Sequence, residues 1–145
     1  MHEPQSATPS RAQTRPAART ILVVDNDPAA RQEIARILRG TGYRVIPASQ
    51  DVLAHRCLED AGTHVDLIVT DLLPPIPDGY HLGISFTWRW ATTPVLFTAL
   101  GSREENIRRG LLHPQAPYIR KPFPPRELVR SVRQALEAWS VKPAA

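Results

Sequence analysis

The sequence predicts an α/β domain built on a parallel sheet with helices on both faces. Three observations carry this. Short apolar runs rich in β-branched residues alternate, five times over, with segments whose apolar residues recur at helical spacing. The runs are continuous rather than alternating with polar residues, as in strands buried on both faces. Polar residues of reactive type, Asp25, Asp71, Thr98 and Lys121, stand at the C-terminal ends of four of the runs. In parallel sheets those ends share one edge, where ligands and chemistry gather.

Residues 1–19 place Pro4, Pro9 and Pro16 among Ser, Thr, Gln and Ala and have little to bury, so they read as a flexible tail. The domain is expected over residues 20–139, with a short tail at 140–145. Ile21–Val24 is the first strand, ending at Asp25. Asp27 before Pro28 pairs an N-cap with a proline at the first helical position. Ala30, Ile34, Ile37 and Leu38 follow at helical spacing, and Gly40 and Gly42 stop the helix. Tyr43–Ile46 is the second strand, and Gln50–Ala61 a helix carrying Leu53, Cys57 and Leu58 and closed by Gly62. Val65–Thr70 is the third strand, running into Asp71. Pro74, Pro75 and Pro77 force a loop, and Tyr80–Trp90 reads as a short, weakly specified helix. Pro94–Thr98 is the fourth strand, Glu104–Leu112 the fourth helix and Tyr118–Arg120 the fifth strand. Pro125 opens a last helix with Leu128, Val129, Val132, Leu136 and Trp139 on one face.

Composition excludes several classes. A hydrophobic share of 42% supports a core, and a charged share of 22% is too low for a wholly disordered chain. No stretch approaches the about 18 apolar residues of a membrane span, and no apolar signal-peptide core stands at the N-terminus, so a cytoplasmic protein is expected. The single cysteine, Cys57, excludes an internal disulfide and a multi-thiolate metal site; its helical neighbours make it a core residue. The net charge of +4 comes from scattered basic residues, including Arg11, Arg15 and Arg19 in the tail, with no DNA-reading motif beside them. His2, His55, His64, His81 and His113 form no motif. Trp88-Arg89-Trp90 reads as a helix end packing an indole while the arginine reaches solvent.

The strand ends together deliver Asp25, Asn26 and Asp27, then Asp71, Thr98 and Lys121 followed by Pro122. Any one has a structural explanation: a cap, a turn residue, a strand residue. As a set they are coherent. Clustered carboxylates repel and call for a cation. Hard oxygen ligands without thiolates or a histidine cluster suit Mg²⁺. A lysine and a hydroxyl can hold the oxygens of an incoming phosphoryl group, so the chemistry implied is phosphoryl transfer onto a carboxylate.

Four pieces, ILVVDND at 21–27, VDLIVTDLLPPIPDG at 65–79, PVLFTA at 94–99 and YIRKPF at 118–123, resemble in order and spacing the response-regulator receiver domain of two-component signalling. The resemblance implies a flavodoxin-like (βα)5 three-layer sandwich with a five-stranded parallel sheet of order 2-1-3-4-5. It implies Asp71 as phosphoacceptor; Asp25, Asn26, Asp71 and the carbonyl of Leu73 around Mg²⁺; Thr98 and Tyr118 as switch residues; and Lys121 on the phosphoryl group. Asp27, Pro75, Gly79, Ala99 and Pro122 support the site, with a cis bond expected at Lys121–Pro122. The implied partners are a histidine kinase or histidine phosphotransfer protein and a downstream protein target, with dimerisation left open and no nucleic acid or membrane. The implied protein is not a conventional enzyme, although receivers catalyse their own phosphoryl transfer. With only six residues after Trp139, a stand-alone receiver is expected.

The chain also departs from the family. Asn26 stands where a carboxylate is usual, which predicts weaker Mg²⁺ binding. Pro74 stiffens the loop after Asp71, the interval from Asp71 to Thr98 is short, and Pro114-Gln115 replaces a Gly-Ala before the fifth strand. These departures favour an alternative, a pseudo-receiver acting as a phosphorylation-independent interaction module; Asp71, Thr98 and Lys121 oppose it. A flavodoxin-like cofactor binder is disfavoured because no glycine-rich phosphate cradle follows the first strand.

Overall fold

The structure is a computed structural model, and it describes residues 18–49, 64–72 and 93–141, with side chains to residue 138. The expected helices at 50–61 and 80–90 lie outside these residues. So do Leu73, Pro75, Gly79, Cys57, His2, His55, His81, Trp88-Arg89-Trp90 and most of the N-terminal tail.

Five strands, β1 (Thr20–Val24), β2 (Arg44–Ala48), β3 (Leu67–Asp71), β4 (Val95–Leu100) and β5 (Tyr118–Lys121), form one parallel sheet in the order β2-β1-β3-β4-β5. The helices are α1 (Pro28–Gly40), α2 (Arg103–Arg108) and α3 (Pro125–Val141). Strand periodicity divides the core in two. Ile21 and Val23 of β1, with Leu67 and Val69 of β3, pack under Ile34 and Leu38 of α1 and Leu128 and Val132 of α3. Leu22 and Val24, with Ile68, pack on the opposite face with Val95, Phe97 and Leu112, and Ile107 of α2 packs against them. Each inner strand therefore feeds both cores, which is why the apolar runs are continuous.

Local chemistry sets the boundaries. Asp27 caps α1, its side chain accepting from the Ala29 N–H, with Pro28 opening the helix. The second strand begins at Arg44 and runs to Ala48, through a proline that sequence patterning places after its end. The Arg44 N–H bonds to the Arg19 carbonyl and the Ala48 carbonyl accepts from the Asp25 N–H, so alternate residues of β2 turn toward β1. Pro47 lies between them, facing outward, where no N–H is required. The outward carbonyl of Val45 accepts from Arg39 Nη2 at 3.2 Å. Proline and arginine together blunt this sheet edge against pairing with another chain.

Other boundaries also move. The third strand starts at Leu67 rather than Val65, because Asp66 exchanges two 2.8 Å hydrogen bonds with Thr20 instead of continuing the ladder. It ends on Asp71 itself. The fourth strand continues two residues beyond Thr98, to Leu100. The fourth predicted helix is shorter than its pattern suggests. It opens with a reciprocal Ser102–Glu105 capping box and ends at Arg108, before Gly110 at φ 76°. The last helix runs to Val141, two residues past the expected domain end.

Candidate functional site

Three strand ends bring the site together. Lys121, at the end of β5, reaches across β4 and β3 to both carboxylates: its Nζ lies 2.9 Å from Asp25 Oδ2 and 3.3 Å from Asp71 Oδ1. Asp25 is buried at 1% exposure, while Asp71 and Lys121 retain limited access to solvent. The other oxygen of Asp25 accepts from the Asp27 N–H at 2.9 Å, which fixes the turn between β1 and α1.

Thr98 stands opposite Asp71 in the β3–β4 register, and its carbonyl accepts from the Leu72 N–H at 2.9 Å. The residue is wholly buried, and among the described residues its hydroxyl is the buried side-chain polar atom with no partner. An orphaned buried hydroxyl costs stability, and this one stands across the register from the Asp71 carboxylate. The hydroxyl of the preceding strand residue, Thr70, is used locally, donating to the Asp71 carbonyl.

The electrostatics follow from this packing. Burial pushes the Asp71 carboxyl above its ordinary value; Lys121 pulls it back, and the charge of Asp25 raises it again, leaving it raised. Burial alone would lower the Lys121 ammonium, but its bond to Asp25 and the charge of Asp71 outweigh that, so it is held above its ordinary value. The lysine stays cationic and serves as counter-ion to two carboxylates.

Hard carboxylate and amide oxygens suit Mg²⁺, and Asp25, Asp71 and the exposed Asn26 supply them. Their number is small: among the described residues no three His, Cys, Asp or Glu side chains form a metal-holding group. Asp27 faces α1 as its cap. The donor set therefore fits Mg²⁺ in kind, with two charges rather than three. The Lys121–Pro122 peptide bond is cis.

Tyr118 lies apart from this pocket, on the far side of the turn after β4. Its hydroxyl lies 2.6 Å from the Gly101 carbonyl and 3.0 Å from that of Ala99, and Asn106 Nδ2 donates to it at 3.0 Å. Two contributors escaped the sequence reading. Arg31 Nη1 donates to the Asp25 carbonyl at 2.7 Å, clamping the acidic turn. Its signal was a cation near a helix N-terminus, where the dipole disfavours it. The signal of Asn106 was a weak helix former inside a short helix. His64 and His113 each have a local contact: His64 Nε2 is 3.1 Å from Asp66 Oδ1, and His113 Nδ1 accepts from the Gln115 N–H.

Comparison with known proteins agrees with this geometry. The family model of the response regulator receiver domain matches residues 21–133. The chain belongs to that family, a receiver domain of two-component signalling. It is 32% identical over 120 residues to the phosphate regulon transcriptional regulatory protein PhoB of Pseudomonas aeruginosa, a match covering 81% of this chain and 52% of that protein. It is 33% identical over 116 residues to the protein PetR of Rhodobacter capsulatus, covering 80% of this chain and 48% of that protein. A two-component response regulator-like protein of rice is 40% identical over 62 residues, 43% of this chain and 8% of its own length. The chain thus spans about half or less of these relatives. Among solved structures, the receiver domain of an HD domain-containing protein from Pseudomonas fluorescens superposes with a TM-score of 0.72 at 24% identity, covering 87% of this chain and all of that one. The receiver domain of a Syntrophus aciditrophicus histidine kinase gives 0.70 at 28% identity, covering 88% and 97%. Among the described residues no helix is long and apolar enough to cross a membrane.

Proposed function

We propose that this receiver is a cytoplasmic phosphoacceptor module: Asp71 takes a phosphoryl group from a histidine kinase or histidine phosphotransfer protein, and the product has a changed affinity for a downstream protein. The supporting observation is the convergence on Asp71 of the Lys121 ammonium and the register-paired Thr98, whose buried hydroxyl has no partner among the described residues. An Asp71 oxygen attacks phosphorus, the bond to the donor nitrogen breaks, and an acyl phosphate forms on the carboxylate. Lys121 and the Thr98 hydroxyl then hold phosphoryl oxygens. Asp25, Asn26, Asp71 and the carbonyl of Leu73 would hold Mg²⁺, which supplies charge neutralisation. Asp27, Ala99 and Pro122 stand at or near the strand ends, Pro75 and Gly79 are further supporting positions in this reading, and Tyr118 reports the state of the site.

The test is incubation with Mg²⁺ and acetyl phosphate, read by intact mass. One added phosphoryl group that disappears in Asp71→Ala is the expected result. No added mass at any Mg²⁺ concentration, with small donors and with candidate kinases, overturns the proposal. That outcome would favour a second reading, a pseudo-receiver that binds its partner without phosphorylation. Asn26 motivates it, because the lysine already neutralises much of the two-carboxylate pocket.

A further inference from the structure

We infer that Asn106 is a latch: its amide ties the phenol of Tyr118 to the turn after β4, so the resting position of that ring is set by Asn106 and not by the chemistry at Asp71 alone.

Asn106 is buried at 3% exposure although it is polar and sits in a helix that begins at the protein surface. Its Nδ2 lies 3.0 Å from the Ser102 carbonyl, 3.1 Å from the Leu100 carbonyl and 3.0 Å from the Tyr118 hydroxyl. The two protons of this amide serve three acceptors, one of them shared, and so link the last residue of β4, the cap of α2 and the first residue of β5. The phenol has a single proton, and its shortest contact, 2.6 Å, is to the Gly101 carbonyl. Accepting from Asn106 while donating to Gly101 satisfies both roles of the hydroxyl.

The turn that presents these carbonyls is itself specified. Gly101 has φ 88°, which favours glycine, and a Cβ there would stand 3.0 Å from Glu105 Oε1. That oxygen is already engaged, accepting from the Ser102 N–H at 2.8 Å, while Ser102 Oγ accepts from the Glu105 N–H at 3.0 Å. The glycine, the capping box and Asn106 hold residues 99–102 in one arrangement. Rotating Tyr118 outward would break its bonds to Gly101 and to Asn106, whose two amide protons would then fall to the Ser102 and Leu100 carbonyls alone. Leu100, whose carbonyl lies 3.3 Å from the phenol oxygen, is 72% exposed.

The inference deepens the proposed role of Tyr118 and rests on it only for its meaning in signalling; the latch can be read in the unphosphorylated protein. The experiment is a pH titration of the Tyr118 ring in the full chain carrying ¹³C-labelled tyrosine, with Tyr118→Phe used to assign the signal. In the wild type, burial pushes this phenol up; Arg120 and Arg103 pull it down and Glu105 raises it, while the Asn106 bond also lowers it. The two explanations of Asn106 therefore predict opposite signs. If it is a latch, Asn106→Ala lets the ring swing into solvent and the titration midpoint falls toward the ordinary phenol value. If it only packs, the ring stays buried, loses a donor, and titrates at the same pH or higher, which overturns the inference. Asn106→Ser, which keeps a small polar side chain able to bond the Ser102 carbonyl but removes the amide that reaches Tyr118, is expected to lower the midpoint as well. Should Asn106→Ala fail to fold, an unchanged or raised midpoint in Asn106→Ser overturns the inference instead. Absence of an acyl phosphate in the mass experiment would remove the phosphoacceptor reading and leave this titration untouched.

Discussion

The pocket at Asp71 and the turn at Tyr118 stand at the same edge of one sheet, yet they are held by different physics. The pocket is a charge cluster assembled over long sequence distances: Lys121 meets carboxylates 50 and 96 residues away. The turn is a local set of hydrogen bonds among residues 99–118, mostly between neutral groups, with the Glu105 carboxylate accepting from the Ser102 N–H. Charges in a partly desolvated pocket respond to protons, salt and metal. The bonds around the glycine turn change chiefly when a group moves, or when the Glu105 carboxylate or the Tyr118 phenol changes charge. A module with this division can sense chemistry in one place and hold a geometry in the other.

Removing the counter-ion is the most severe way to break the contrast. Lys121→Met leaves Asp25 and Asp71 facing each other without a cation, and a loss of roughly 3 kcal/mol in urea unfolding is expected, together with loss of the acetyl phosphate product. Wild-type stability would show that the lysine is not the counter-ion. Adding charge sharpens the contrast. Asn26→Asp should tighten Mg²⁺ binding about tenfold in an NMR titration, near 1.4 kcal/mol, and should lower stability when Mg²⁺ is withheld. Equal affinity in the two proteins would mean that residue 26 is not at the metal.

Protons test the same pocket with a defined sign. The folded Asp71 carboxyl sits above its ordinary value of 3.8, so the folded state binds its proton more tightly than the unfolded chain. Ionised Asp71 therefore costs stability at neutral pH, and the cost fades as pH falls through its raised folded value toward 3.8. Asp71→Asn is expected to be more stable than wild type at pH 7, with the gap narrowing in acid. Lys121 runs the other way at high pH. Its folded value is raised, so its contribution is full below 10.5 and is lost as pH rises through the folded value. The mildest change belongs to the turn. Ser102→Ala removes one half of the capping box and should cost about 1 kcal/mol, equally at low and high salt; a strong salt dependence would place the turn under the pocket's electrostatic control.

The legibility of these regions also differs. Asp25, Asp71, Thr98 and Lys121 could be picked out because each ends an apolar run, and a parallel sheet gathers such ends. Asp27 and Pro28 announced the start of α1. Asn106 and Arg31 escaped that reading, since Arg31 acts on a backbone carbonyl, which any residue can present, and Asn106 on two carbonyls and a phenol that only the fold brings within reach. The end of β2 was misplaced because Pro47 reads as a stop; only its outward place on an edge strand makes it harmless.

The sequence by itself determined the class of fold, the order of the described elements and which polar residues stand at the strand ends. Those depend on periodicity, caps and composition, which are local properties of the chain. The tertiary structure decided that Lys121 bridges two carboxylates, that the Thr98 hydroxyl has no partner among the described residues, and that Asn106 holds Tyr118. Such facts depend on which strand ends become neighbours and on the few tenths of an ångström between a hydrogen bond and a gap, which spacing along a chain does not encode.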